Sequence, residues 1–414
     1  MTWFPAVRSL DRRAWGLGGM PGLRALCLLI GLAGRAGSAE PPPVPTLRKA
    51  EPDLAFERRF RRDVGWIGSD AIYTIPLPDA SWLWVFGDTL VGEVRGGRRW
   101  NVSMVNNSFA RQRGFGNDMQ LELQLHRDAR GQASSFVTPL GKPGYFWIWD
   151  GLVIDGRLYL FTTRLTSPGT ITAFDWKLLD QSVVVVENPL DPPAQWKHRQ
   201  VDFPHGHFTE TSEALWGLEV VHEGEWIYVF GTRRQAASDP RELVLARVAP
   251  REFPQFDRWR FFSRGEWVED ARRGSSLAVG VGTEGSVTWL PEQQVWVYVY
   301  SPPLDANIQI RAARTLVGPW SEPQTLYACP DPQRNPRIFC YAAKARSVPG
   351  TRNELLVSYA TNSFEMLPDV SADAEIYQPR FVRVTFEPAR SEDICGKCRG
   401  ECSVKATNRD CGDR

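Results

Sequence analysis

A single five-bladed β-propeller, all-β, is the architecture this sequence predicts, and three observations predict it. From Gly65 onward the pattern is strand, turn, strand, with almost no sustained helical periodicity. One strand type recurs five times, as WLWVFGDT (Trp82–Thr89), RLYLFTTR (Arg157–Arg164), EWIYVFGT (Glu225–Thr232), VWVYVYSP (Val295–Pro302) and ELLVSYAT (Glu354–Thr361). Aligned on Phe86, Phe161, Phe230, Tyr300 and Tyr359, the repeats lie roughly 60–75 residues apart, room for the four strands of a blade. A β-sandwich or jelly roll is the runner-up, but neither carries a period of this length.

Taken from the start of the chain, Arg24 precedes the apolar run Ala25–Ala33, and Gly37, Ser38 and Ala39 offer a small-residue cleavage site before Glu40. Residues 1–39 therefore read as a signal peptide, with Met20 a sufficient start and 1–19 an upstream extension. The Arg12-Arg13 pair allows a twin-arginine reading, which the following residues fit badly. The apolar run is too short for a membrane span, and nothing later approaches one. The mature chain is expected to be secreted or periplasmic. Residues 40–60, Pro-rich and then charged, read as a linker into the propeller at 61–390.

Within each repeat the recurring strand is the second. First strands are assigned to DAIYTIPL, DGLVIDG, GLEVVHEG, GSVTWLP and YAAKARSV, and third strands to SMVNNSFAR, SVVVVEN, LVLARVA, IQIRAART and RFVRVTF. Residues 391–414 form a Cys-rich tail holding Cys395, Cys398, Cys402 and Cys411. The six Cys of the mature chain, those four with Cys329 and Cys340, suit disulfides in an oxidising compartment. The C-x-x-C spacing in the tail leaves zinc as the lesser alternative.

Composition narrows the function. The formal charge of +1 includes five Arg and one Asp in residues 1–39, so the remainder carries −3. A slightly acidic body lacks the basic footprint that nucleic acid requires. The 17 Trp, 21 Phe and 10 Tyr suit large buried strands, and also clefts that stack sugar rings. No phosphate loop, nucleophile elbow or zinc-helix motif is present. His205 and His207 with Glu210 superficially suggest metal, but Pro204 and Gly206 make the segment a loop, and no metal is assigned. No cofactor is called for, with calcium left open.

Carboxylates recur where propeller strands begin or end. Asp70 opens the first strand of blade 1, Asp88 ends its second strand, Asp150 opens blade 2 behind three aromatics, and Glu210 and Glu213 precede blade 3. An Asp beside Gly or Ser often caps a turn, and that is the competing structural reading of each. Paired carboxyls across a sugar are what glycoside hydrolysis needs.

The order of motifs is itself informative. Gly68-Ser-Asp-Ala-Ile-Tyr73 followed by Leu83-Trp-Val-Phe-Gly-Asp-Thr89, then Asn106-Asn-Ser108, Trp149-Asp-Gly151, Leu215-Trp-Gly217, Gly318-Pro-Trp320, Ser358-Tyr-Ala-Thr-Asn362 and Tyr377-Gln-Pro-Arg380, resembles a family of exported five-bladed propellers. That family was long catalogued as a domain of unknown function and includes endo-D-arabinanases; it is related in fold to arabinanase, β-xylosidase and levansucrase-type propellers. The resemblance implies that Asp70 and Asp88 are catalytic with Asp150 a third carboxylate nearby. It implies a secreted glycoside hydrolase acting on an arabinofuranose-type or related polysaccharide. Trp147, Trp149 and Trp216 become candidate stacking surfaces, and Glu213, Lys344, Asn362 and Arg380 candidate polar contacts. Arg346 departs from the pattern, which has a His after Ala343-Lys344-Ala345. The rival reading is a non-catalytic propeller that binds carbohydrate or protein at the cell surface.

Overall fold

The computed structural model describes residues 40–167 and 176–389. These form five antiparallel sheets that follow one another along the chain, each with four principal strands. The first comprises Tyr73–Pro76, Trp82–Phe86, Ser108–Arg113 and Gln120–Gln124, and the second Tyr145–Ile154, Arg157–Thr166, Lys177–Val186 and His198–Phe203. The third has Glu213–Glu223, Trp226–Arg234, Glu242–Val248 and Arg260–Ser263, extended by shorter strands, and the fourth Gly285–Leu290, Val295–Tyr300, Asn307–Ala313 and Gln324–Ala328. The fifth runs Ile338–Ser347, Glu354–Ser363, Arg380–Phe386 and then Leu47–Pro52, so a strand from the beginning of the fold completes its last sheet.

The alternating sequence of the second strands explains this packing. In Arg157–Thr166, Leu158 and Leu160 point to a core shared with the first sheet, while Tyr159 and Phe161 point to one shared with the third. Val297 and Val299 likewise face the fifth sheet, and Tyr298 and Tyr300 the third. Because side chains alternate across a strand, an unbroken apolar run is what a strand buried on both faces requires. The fifth sheet packs on the first through Ala360 and Phe381 against Trp84 and Phe86. Hydrogen bonds join inner strands, Ala345 N–H to Ser286 Oγ (2.6 Å) and Val220 N–H to Asp150 Oδ2 (2.9 Å), and Ser358 Oγ on the second strand of the fifth sheet donates to the Ile72 carbonyl (2.6 Å).

Three expectations need correction. The expected linker contains the edge strand Leu47–Pro52 and the short helix Leu54–Glu57. That strand is mostly exposed, so its charged sequence LRKAEP shows no apolar alternation. The stretch SMVNNSFAR is not one strand but two. Its first three residues end Arg98–Val105, which with Val64–Ser69 and Thr89–Arg95 makes a separate three-stranded sheet, and Ser108–Arg113 returns to the first sheet. Cys329 and Cys340 are buried free thiols rather than a disulfide. They pack as small apolar groups between the fourth and fifth sheets, and the hydrogen bond with Cys329 together with burial pushes the Cys340 thiol far up. The signal segment with Cys27, and Cys395, Cys398, Cys402 and Cys411, lie outside the described residues. Among the described residues no helix is long and apolar enough to cross a membrane.

Candidate active site

Asp70 and Asp88 come together through a local device. Asp70 follows the strand Val64–Ser69 and Asp88 precedes Thr89–Arg95; these strands pair, with Ser69 opposite Thr89. The Asp70 N–H donates to the Asp88 carbonyl (3.2 Å), the Gly87 N–H donates to the Asp70 carbonyl (3.1 Å), and Ser69 Oγ donates to both carbonyls. Ala71 adopts φ 48°, turning the chain into the first sheet. Gly87 is required, because a Cβ there would lie 2.5 Å from Asp70 Oδ1.

Each carboxyl is held by one oxygen and leaves the other unbonded among the described residues. Asp70 Oδ2 accepts from the hydroxyls of Tyr341 (2.7 Å), on the inner strand of the fifth sheet, and Tyr377 (3.0 Å), in the turn before Arg380–Phe386. Asp88 Oδ1 accepts from Asn106 Nδ2 (3.0 Å) and Trp147 Nε1 (3.1 Å). Both side chains are half-buried. Burial first, and the neighbouring Asp88 second, push the Asp70 carboxyl up to about 8 against the lowering effect of its two tyrosines. Burial pushes Asp88 up to about 6, opposed by Asn106 and Trp147. Glu284, one residue before the inner strand of the fourth sheet, adds to the field on Asp70 and is itself raised by burial.

Asp150 occupies a different environment. The inner strands of the second, third and fifth sheets each shift register, at Ile148/Gly151, Trp216/Glu219 and Tyr341/Lys344. An extra residue in a strand redirects the side chains beside it, and these shifts aim Asp150, Glu219 and Lys344 at one another. Lys344 Nζ donates to the Leu218 carbonyl (2.6 Å) and lies 3.6 Å from Glu219 and 4.0 Å from Asp150. Arg346 pairs with Glu219, lies 3.6 Å from Asp150 Oδ1, and donates to the Thr74 carbonyl (3.2 Å). Two acids thus meet two bases in a buried quartet. Burial lowers the Lys344 ammonium, and burial with Asp150 repulsion lifts Glu219 to about 7 despite both cations. The Arg that departs from the expected His is a member of this quartet. Asp150 is engaged by Lys344, Arg346 and the Val220 amide.

The remaining candidates divide. Trp147 is half-buried and touches Asp88 directly. Trp149 (4% exposed) and Trp216 (2%) are not stacking surfaces: both sit in the core between the second and third sheets, donating to Thr163 Oγ1 and the His205 carbonyl. Glu213 is paired with Arg241 and Arg234, and Asn362 Oδ1 accepts from the Ser363 N–H (2.7 Å). Arg380 binds Glu57 and Asp331, fastening the helix Leu54–Glu57 to the fifth sheet. His205 and His207 are engaged by the Phe256 carbonyl and Ser212 Oγ. Among the described residues no group of three His, Cys, Asp or Glu is placed to hold a metal ion. Sequence reasoning missed Tyr341, Tyr377 and Glu284, and noted Glu219 only as a carboxylate further along blade 3. Tyr341 lies inside the YAAKARSV strand and Tyr377 inside an otherwise noted motif, so each was visible only as a strand or motif letter.

The family described as Domain of unknown function (DUF5005) matches residues 53–387. No curated protein matches the chain. Among solved structures, a protein of Bacteroides ovatus assigned provisionally as a hydrolase is similar over 81% of this chain and 90% of its own, at 16% identity and TM-score 0.64. That likeness is one of fold. A family 117 glycoside hydrolase of Zobellia galactanivorans aligns over 81% of this chain and 90% of its own (11% identity, TM-score 0.44). A GH43_1 enzyme of Xanthomonas citri, solved with xylotriose, aligns over 82% and 94% (11% identity, TM-score 0.44).

Proposed function

The chain belongs to the family described as Domain of unknown function (DUF5005), and from that premise we propose that it is a five-bladed β-propeller glycoside hydrolase acting on an arabinofuranose-type or related polysaccharide. The five sheets are read as the blades, and the chain as exported, secreted or periplasmic. One observation carries the catalytic assignment: two neighbouring carboxyls are each clamped through one oxygen by neutral donors, with the other oxygen left free, and burial raises both.

Such a pair divides the work of glycoside cleavage. Asp70, raised by burial and further by the neighbouring Asp88, is assigned the shared proton. Its Oδ2 is taken by two tyrosine hydroxyls, so Oδ1 holds the proton that goes to the leaving glycosidic oxygen. Asp88 is assigned the ionised role, with Oδ1 fixed by Asn106 and Trp147, and its Oδ2 either deprotonates the attacking water or attacks the anomeric carbon. The Asp150 quartet sets the frame behind the pair.

The test is reducing-sugar release from arabinans, arabinogalactans, xylans and fructans, with Asp70→Asn beside the wild type. Release by the wild type, abolished in a folded Asp70→Asn protein, supports the assignment. Equal release by both contradicts it. Binding without release by the wild type replaces the hydrolase with a carbohydrate-binding propeller.

A further inference from the structure

The three-stranded sheet does more than deliver the two aspartates. Its strands end side by side on three site residues: Ser69 leads into Asp70, Asp88 leads into Thr89, and Val105 leads into Asn106. The sheet therefore rises directly from the carboxyl pair. It is fixed from behind by Arg99, whose guanidinium is buried and donates to the carbonyls of Ile67, Val370, Ala374 and Ile376.

Its edge strand, Arg98–Val105, bulges at Asn101 and exposes a run of side chains around the bulge. Trp100 is 51% exposed, Val102 37% and Met104 39%, with the exposed polar residues Asn101 and Ser103 between them. An indole left half in water, on a strand anchored this firmly, is not core. A register shift between Val91 and Glu93, with Asn101 at φ 53°, turns Trp100 to the face of Ser103 and away from Val102 and Met104. An indole face beside a hydroxyl matches the chemistry of a sugar, which shows C–H faces and hydroxyl edges. From Asn106 the strand reaches Trp100 in six residues, at most about 20 Å, the length of a short oligosaccharide.

We propose that this edge strand is a distal glycan subsite, in which Trp100 stacks on a sugar unit of the same polysaccharide several units from the cleavage point. This rests on the polysaccharide substrate proposed above. Continuity favours that occupant: a chain lying along the strand leads to Asn106, and from there to Asp88. The subsite takes a polymer, so its contribution is to binding of long substrates and vanishes for short ones.

Affinity electrophoresis in gels containing each polysaccharide, with full-length wild type, Trp100→Ala and Trp100→Phe, tests it without requiring turnover. Retardation of the wild type by one glycan should weaken about tenfold in Trp100→Ala and largely persist in Trp100→Phe, with both melting as the wild type does. On the hydrolysed polymer KM should rise similarly for Trp100→Ala, while kcat on a short aryl glycoside stays unchanged. Undiminished retardation of Trp100→Ala overturns the subsite. So does a self-association of the wild type that Trp100→Ala abolishes while glycan binding stays, since the edge would then join two copies. Trp100-dependent retardation with no hydrolysis leaves the subsite standing and removes the hydrolase; hydrolysis indifferent to Trp100 does the reverse. No retardation by any glycan removes the subsite.

Discussion

Two groups of carboxyls, one buried on the inner strands and one half-buried at the end of the three-stranded sheet, are built on opposite principles. In the quartet of Asp150, Glu219, Lys344 and Arg346 every carboxylate faces a cation. At Asp70 and Asp88 the partners are neutral: two phenols, an amide and an indole. Cations favour the ionised carboxylate and oppose the burial that still lifts Glu219 to about 7. Neutral donors fix where a carboxyl points while leaving its proton exchangeable near neutral pH. The first arrangement suits holding sheets together and the second suits moving a proton. Arg346 makes the contrast concrete, because one side chain ties the fifth sheet to the third through Glu219 and to the first through Thr74.

The sharpest way to break the comparison is Arg346→Met. Removing one partner of a buried pair leaves Glu219 and Asp150 under-compensated, and a loss of about 3–5 kcal/mol is expected in denaturant unfolding. Asp70→Asn removes a half-buried carboxyl that no cation faces and should not destabilise at all. If Arg346→Met unfolds no more readily than Asp70→Asn, the two groups are not different in kind.

A second prediction concerns the clamps. Tyr341→Phe deletes a hydrogen bond that lowers the Asp70 midpoint, so the alkaline limb of the pH–rate profile should move up by about one pH unit. Trp147→Phe should move the acid limb up in the same way through Asp88. Limbs that stay in place would show that these donors do not govern the pair.

A smaller effect is thermodynamic. The folded midpoint of Asp70, about 8, lies above its value in the unfolded chain. Its contribution to stability is therefore fully present below about pH 4 and is lost as pH rises toward 8. Asp70→Asn cancels that loss, so its melting temperature should exceed the wild type's by a few degrees at pH 8 and by almost nothing at pH 4. A constant difference across that range would place the Asp70 midpoint in the ordinary carboxylate range.

Much of the framework was legible because strands buried on both faces must be written as unbroken apolar runs, and WIYVF or VWVYVY has few other readings. The three-stranded sheet was not legible. Its strands abut the strands of the first sheet without an intervening loop, so Ser103–Val105 ran on into Ser108–Arg113 as one apparent strand. Asp70 and Asp88 were found through their position at strand ends and a motif resemblance. What singles them out physically, Tyr341 and Tyr377, arrives from more than 250 residues downstream, and no local pattern announces it. Trp149 and Trp216 misled for the converse reason: an aromatic beside a conspicuous Asp or Gly reads alike whether it lines a cleft or fills a core. Register shifts, which placed Asp150 against Lys344, leave no mark in a two-residue alternation read by eye.

The proposed catalytic role of Asp88 is tested most directly by measuring glycan hydrolysis by Asp88→Asn beside its thermal melt. The prediction is a fall in kcat of about a thousandfold with the melting temperature at or above that of the wild type. Hydrolysis within tenfold of wild type, or loss of activity only through loss of the fold, would contradict it.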